Sequence, residues 1–280
     1  MPTMTAETFV HPLAVVEDGA QLGAGVRVGP FCHVGAKVTI GDGSELFSHV
    51  AITGETSIGP GARIYPQACL GFPPQSHRHK SGPTRLTIGS GAVIREAVTV
   101  HSGSDDGAGE TRIGDNLYLM AYAHVAHDCV VGNNVTITNN TSLAGHVELG
   151  DNVMLGGHCG VHQFVRIGHH AFVAAGSGVF GDVIPYGMAF GREARLRGFN
   201  VVGIKRSGMS KSELMTMRRA YRSLFSAGMP MAEAAENVRR DFADSPAVVD
   251  ICDFILSRGK RFFIVPRPGE EDAEAEDNDR

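Results

Sequence analysis

Three positions recur at a spacing of eighteen: His127, then Gly145 beside His146, then Gln163 beside His162. His124 stands three residues ahead of the first. With a reference pKa of ~6.5, imidazole can take and return a proton near neutrality, as general acid–base catalysis requires. If eighteen residues return the chain to one place, these side chains form a histidine column and a groove for that chemistry. Asp128, next to His127, adds a carboxylate able to orient the ring. The same residues would otherwise be solvent-facing corner positions with no chemical role.

The element that would stack them is visible in the apolar pattern. Val, Ile or Leu recurs every sixth position from Val10 to Leu70, at Ile88, Ile94 and Val100, and from Ile113 to Val179. A strict hexad fits neither a 3.6-residue helix nor a period-2 strand, but fits short strands joined by turns: an all-β parallel β-helix. Three hexads make one triangular coil of eighteen residues. Stacked at ~4.8 Å, nearly nine coils would form a prism roughly 40 Å long. Gly follows the aliphatic at Gly23, Gly59, Gly114, Gly132 and Gly168, which suggests corners with φ > 0. The beat breaks at 71–87 and 101–112, rich in Pro and Gly, and both breaks read as loops thrown out from the prism.

The 280 residues predict a long domain with a smaller one after it. The β-helix is expected over 1–185, a linker and C-terminal helical domain over 186–265, and an acidic disordered tail over 266–280. In the helical part, Ser210-Lys211-Ser212-Glu213 reads as a capping box opening a helix to about Ala227. Pro230 to Phe242 predicts a second helix, and Ser245-Pro246 opens a third ending near Gly259. A net charge of -5 gives no reason to propose nucleic acid, and no apolar run reaches the ~18 residues of a membrane span. The five cysteines form no C-x-x-C pair and suit a reducing cytoplasm.

The stretches Ala123-His124-Val125-Ala126-His127-Asp128-Cys129, Asn139-Asn140, Leu143-Ala144-Gly145-His146 and Val161-His162-Gln163-Phe164 occur in this order. Phe31-Cys32, Pro83-Thr84-Arg85, Gly198-Phe199-Asn200 and Lys205-Arg206 extend the likeness over nearly the whole chain. Together they resemble the UDP-N-acetylglucosamine O-acyltransferases of lipid A biosynthesis, in the hexapeptide-repeat superfamily of left-handed parallel β-helices. The resemblance implies a cytoplasmic homotrimer that moves a 3-hydroxyacyl group from acyl carrier protein to the 3-position of the UDP-sugar. It implies no cofactor and no metal, the acyl group riding on the carrier's phosphopantetheine.

By the same likeness His127 is the general base, Asp128 its orienting carboxylate, and the Gly145 N–H the oxyanion donor. Gln75, Ser76, Arg78, His124, His146, His162, Gln163, Asn200 and Arg206 match substrate-binding positions, and Ala175 matches an acyl-length ruler. As Ala rather than Gly, the ruler implies a slightly shorter chain. Arg195, Arg197, Lys205, Arg218 and Arg219 form a basic stretch suited to docking an acidic carrier.

Four positions depart from the pattern. Ser76 stands where Asp is common, Arg78 where Lys is usual, and Val202 and Ser207 replace a Glu and an Arg of the nucleotide site. The loss of Asp leaves N-acylation of a 3-amino sugar nucleotide open. Other hexapeptide enzymes fit less well: the later N-acyltransferase carries an extra N-terminal domain, and acetyl-CoA enzymes do not need this histidine arrangement. The zinc carbonic anhydrases have a ligand spacing that the pairs His124/His127 and His158/His162 do not reproduce. A non-catalytic scaffold would leave the column without purpose.

Overall fold

The computed structural model describes residues 7–226, 228–257 and 259–267. The acidic tail therefore lies outside the described residues from 268 onward. Each hexad aliphatic occupies its own short strand, from Phe9–Val10 to Gly178–Val179. Strands three apart in sequence pair in parallel, and with a terminal hairpin they build, among the described residues, three sheets of 11, 9 and 8 strands. Where no loop intervenes the register is one coil: His124 pairs with Ser142, Ser142 with Gly160, and Gly160 with Gly178. This is a left-handed parallel β-helix with a small C-terminal helical part. Strands of two residues cannot stand alone. They persist because each aliphatic, such as Val125, Leu143 and Val161, is buried against those above and below it, at about 1.5–3 kcal/mol per side chain.

The corners depart from the expectation. Gly23, Gly59, Gly114, Gly132 and Gly168 do not have positive φ. The left-handed residue comes two positions later on the same beat, at Asn116, Tyr122, Asp128, Asn134, Asn140, His146, Asn152, His158, Phe164 and His170. Glycine is needed directly after the aliphatic for a different reason. A methyl there would strike the next coil: at Gly59 it would stand 2.6 Å from the Gly89 carbonyl carbon, and at Gly168 2.4 Å from the Pro185 nitrogen.

The loops are shorter than the breaks in the beat. Arg85–Ile88 and Glu110–Ile113 pair in full register, leaving excursions at 73–84 and 102–109. The stretch read as a linker is an antiparallel hairpin, Gly187–Phe190 with Arg195–Phe199, that ends the 11-stranded sheet. Its buried Ala189, Leu196 and Phe199 close the prism.

Among the described residues four helices follow: α1 (Val201–Arg206), α2 (Lys211–Ser226), α3 (Met231–Asp241) and α4 (Pro246–Leu256). The hexad and capping signals did not reveal the short α1. It is capped by the Asn200 side chain, whose Oδ1 accepts from the Gly203 N–H at 3.0 Å. Only half of the capping box forms: Ser210 Oγ accepts from the Glu213 N–H at 3.1 Å. The Glu213 carboxylate turns instead to the Ser245 hydroxyl and the Ala247 N–H, joining the starts of α2 and α4.

Candidate active site

Winding brings the column together. The His146 N–H donates to the His127 carbonyl (3.0 Å) and the Phe164 N–H to the Gly145 carbonyl (3.2 Å), so three consecutive coils share one corner. Asp128, His146 and Phe164 occupy its left-handed positions, with φ of 59°, 62° and 64°. The His127 and His146 rings meet edge-on at 5.2 Å, and His146 stacks on Phe164 at 4.4 Å. Gly145 leaves the room this needs, since a methyl there would stand 2.6 Å from His127 Cε1. Among the described residues the Gly145 N–H donates to no protein acceptor.

Asp128 is fixed by the second excursion. Its carboxylate is buried and accepts from the Ser104 hydroxyl at 2.6 Å, the Ser104 N–H at 3.1 Å, the Gly109 N–H at 3.0 Å and His127 Nδ1 at 2.7 Å. Its own N–H donates to Thr111 Oγ1 at 2.9 Å. Burial raises the Asp128 pKa, but the Ser104 and His127 hydrogen bonds outweigh it and hold the carboxyl below the usual range. The ionised carboxylate requires a proton on His127 Nδ1, which leaves the Nε2 lone pair free. Burial also lowers the pKa of His146 and of His124. His124 Nδ1 meets Thr99 Oγ1 at 2.7 Å.

Ligand atoms of His127, Asp128 and His146 lie within 4.8 Å of one another, a spacing that could hold a metal ion. Both Asp128 oxygens are already engaged by these donors, so an ion would have to displace the contacts that orient His127. The donor set fits a hydrogen-bonded dyad better than a metal site. His158 and His162, paired in the zinc reading, occupy different corners of the prism: their N–H groups donate to Asn139 and Val179, respectively.

The other predicted residues spread over the molecule. His162 lies on the column's third coil, where its Nδ1 meets Arg261 at 2.8 Å. Gln163 follows it on the same corner. Gln75, Ser76 and Arg78 lie in the first excursion, where Ser76 Oγ accepts from the Arg78 N–H. That loop is tied to the second through Asp105, which accepts from His79 Nδ1 and the Lys80 and Gly82 N–H groups. Among the described residues no hydrogen bond or ion pair joins Gln75, Ser76 or Arg78 to the column.

Asn200 and Arg206 line a cleft of about 560 Å³ with Met154, His170, Val202 and Ser207. Both ends of the Asn200 amide are used internally, the Nδ2–H donating to the His170 carbonyl at 2.9 Å. Ala175 is exposed at a different corner, against Gly156. Arg195 and Arg197 border a cavity of about 830 Å³ with Arg192, Phe190, Leu224 and Met229. Lys205 is on α1. Arg218 and Arg219 are on α2, with Arg219 over the Phe242 ring.

Sequence reasoning missed Ser104, Thr111, His101 and Arg261. The first three lie in or beside the second break, where no period gives a register, and Arg261 is 99 residues from its partner. Asp128 lies one eighteen-residue coil after position 110 of that break, and this was a usable signal. His101 is buried edge-on to His124 at 5.1 Å, with its Nδ1 unpartnered among the described residues. Burial, and then His124 and His127, lower its pKa to about 4.

A prism with an oriented His–Asp pair and an unspent backbone donor at one corner defines a hexapeptide-repeat acyltransferase. A model of bacterial transferase hexapeptide repeats matches residues 110–145, and one for the second domain of UDP-N-acetylglucosamine O-acyltransferase matches 182–263. An acyl-(acyl-carrier-protein)–UDP-N-acetylglucosamine O-acyltransferase of Bartonella henselae is 48% identical over 93% of this chain and 95% of its own. One of Brucella ovis is 51% identical over 93% and 94%. The solved UDP-N-acetylglucosamine acyltransferase from Campylobacter jejuni superposes with a TM-score of 0.86 at 41% identity, covering 92% of this chain and all of that one. That of Francisella novicida gives 0.89 at 34%, covering 94% and 95%. The chain belongs to the UDP-N-acetylglucosamine O-acyltransferase family.

Proposed function

We propose that the protein transfers a 3-hydroxyacyl group from acyl carrier protein to the glucosamine 3-hydroxyl of UDP-N-acetylglucosamine, the first step of lipid A synthesis. The carrying observation is the His127–Asp128 dyad facing Gly145. His127 Nε2 takes the hydroxyl proton as the sugar oxygen attacks the thioester carbonyl. The developing oxyanion meets the Gly145 N–H. The C–S bond then breaks, and the carrier thiol leaves with the proton that His127 returns. These steps balance without a cofactor. The names of the relatives favour the hydroxyl over the amine as acceptor.

No helix of the described residues is long and apolar enough to cross a membrane. All five cysteines are free, which supports a reducing cytoplasmic setting. The column lies on an open corner, so a homotrimer that brings neighbouring prisms together would enclose it and bring substrate groups to Asn200, Arg206 and the Ser76 loop. Exposed Tyr122, Val130 and Met154 offer apolar surface for that contact. Light scattering should then give about three times the 29.7 kDa chain mass; a monomer at micromolar concentration rules this out.

The deciding assay offers hydroxy and amino sugar nucleotides with a ladder of 3-hydroxyacyl carriers. Transfer to the hydroxyl sugar, with a donor optimum slightly below the longest chains, is expected. Preference for the amine, or for the longest donor, overturns the corresponding part. His127→Ala should lower kcat by about 10²–10⁴; turnover within tenfold of the parent removes His127 as the base.

A further inference from the structure

Beyond α4 the chain runs back across the last coils of the prism. The Asp182 N–H donates to the Phe262 carbonyl at 2.7 Å, and the Ile264 N–H to the Asp182 carbonyl at 3.0 Å, so the segment lies as a parallel strap. Beneath it, the buried Asp182 carboxylate holds Arg166 Nε at 2.7 Å. Arg166 also donates to Ser257 Oγ at 3.0 Å and sits 4.5 Å over the Phe254 ring. Gly259 admits this crossing, for a methyl there would strike Arg166 and Asp182. The strap is therefore held to both prism and helices, on either side of the two residues that face the histidine wall.

Two of its side chains then touch that wall. Lys260 Nζ lies 4.1 Å from the centre of the Phe164 ring, which stacks on His146. The Arg261 guanidinium spans the neighbouring pair, with its Nε–H donating to the Gln163 carbonyl at 2.8 Å and Nη2 standing 2.8 Å from His162 Nδ1. A guanidinium has donors only and keeps its protons. The same nitrogen lies 3.3 Å from the Gln163 carbonyl, but that oxygen already accepts from Arg261 Nε at 2.8 Å, so the shorter guanidinium contact decides: His162 Nδ1 carries the lone pair, and the neutral ring carries its proton on Nε2, on its far side.

We propose that Arg261 is a positioning residue that fixes His162 as its Nε2–H tautomer, so that the ring donates to an oxygen of the bound sugar nucleotide. The C-terminal strap thereby completes a wall that the β-helix leaves unfinished. The substrate half of this rests on the function proposed above; the tautomer does not. A guanidinium that merely tacked the strap down would matter equally whether or not His162 were present, and this separates the two roles.

The test has two arms. In protein labelled with ¹⁵N-histidine, the signal lost in His162→Ala should show protonated Nε2 and bare Nδ1 in the parent, and averaging between tautomers in Arg261→Met. In kinetics, Arg261→Met should lower kcat/KM for the sugar nucleotide about tenfold in the parent and less than twofold in His162→Ala, the non-additivity of residues acting through one another. Protonated Nδ1 in the parent, or equal losses in both backgrounds, overturns the proposal. If Arg261→Met does not fold, the parent's tautomer still decides. If the parent transfers no acyl group, the functional reading fails while the spectrum still reports on Arg261.

Discussion

The Asp128 carboxylate carries the chemistry at the smallest scale. A histidine becomes a base with a defined face only when its other nitrogen is committed, and Asp128 commits Nδ1 of His127. The adjacency of these residues was legible, since the eighteen-residue beat placed both on one corner. What fixes Asp128 was not. Ser104 stands 24 residues upstream, inside a break where no beat assigns a neighbour, yet it supplies both a hydroxyl and an N–H. A hydrogen bond to a charged group is worth about 1.5–3 kcal/mol, enough to decide which way the carboxylate points. Ser104→Ala removes the hydroxyl and keeps the N–H contacts. It should lower kcat about tenfold with KM for the sugar nucleotide within twofold. Steady-state rates at saturating carrier check this, and an unchanged kcat would show that Gly109 and the backbone suffice to hold Asp128.

At the scale of the element, the hexad specifies inward positions and therefore strands, but it says little about how a corner closes. Two requirements act there, two residues apart. The left-handed position is met by Asn, Asp, His, Tyr and Phe as well as by Gly, at a cost the stacked coils bear. The position after the aliphatic is met by Gly in the five cases read from the sequence, because the next coil's backbone occupies the space of a side chain. A single chain without coordinates does not distinguish these. The hairpin at Gly187–Phe190 and Arg195–Phe199 escaped notice for a related reason: it leaves the hexad and reverses direction. The distinction predicts unequal costs. Gly43→Ala, at φ +66 with open space, should cost about 1–2 kcal/mol from backbone strain alone. Gly59→Ala must push coils apart and should melt lower than Gly43→Ala, overpacking adding about 1–3 kcal/mol. Equal melting temperatures for the two would mean that the contact between coils at Gly59 costs no more than the backbone strain at Gly43.

Across the whole molecule, the stacked imidazoles make stability depend on pH. His101, His124, His146 and His170 all have pKa values lowered first by burial. His101, lowered to about 4, is the extreme case. Between its unfolded value of ~6.5 and its folded value, the unfolded chain binds a proton that the native chain does not. Stability therefore rises with pH across that window, is complete above ~6.5, and is lost as pH falls towards 4. The Asp128 carboxyl, whose pKa is lowered in the fold, acts in the same direction at lower pH. Thermal melts should accordingly show a falling midpoint from pH 7 to pH 5. His101→Gln removes the most perturbed of these groups, so its midpoint should fall less over the same interval, even if it starts lower for loss of packing against His124. A parallel slope in parent and variant would show that His101 gains its proton in the folded state at its ordinary pH, which would require water to reach the Nδ1 now buried behind the second excursion.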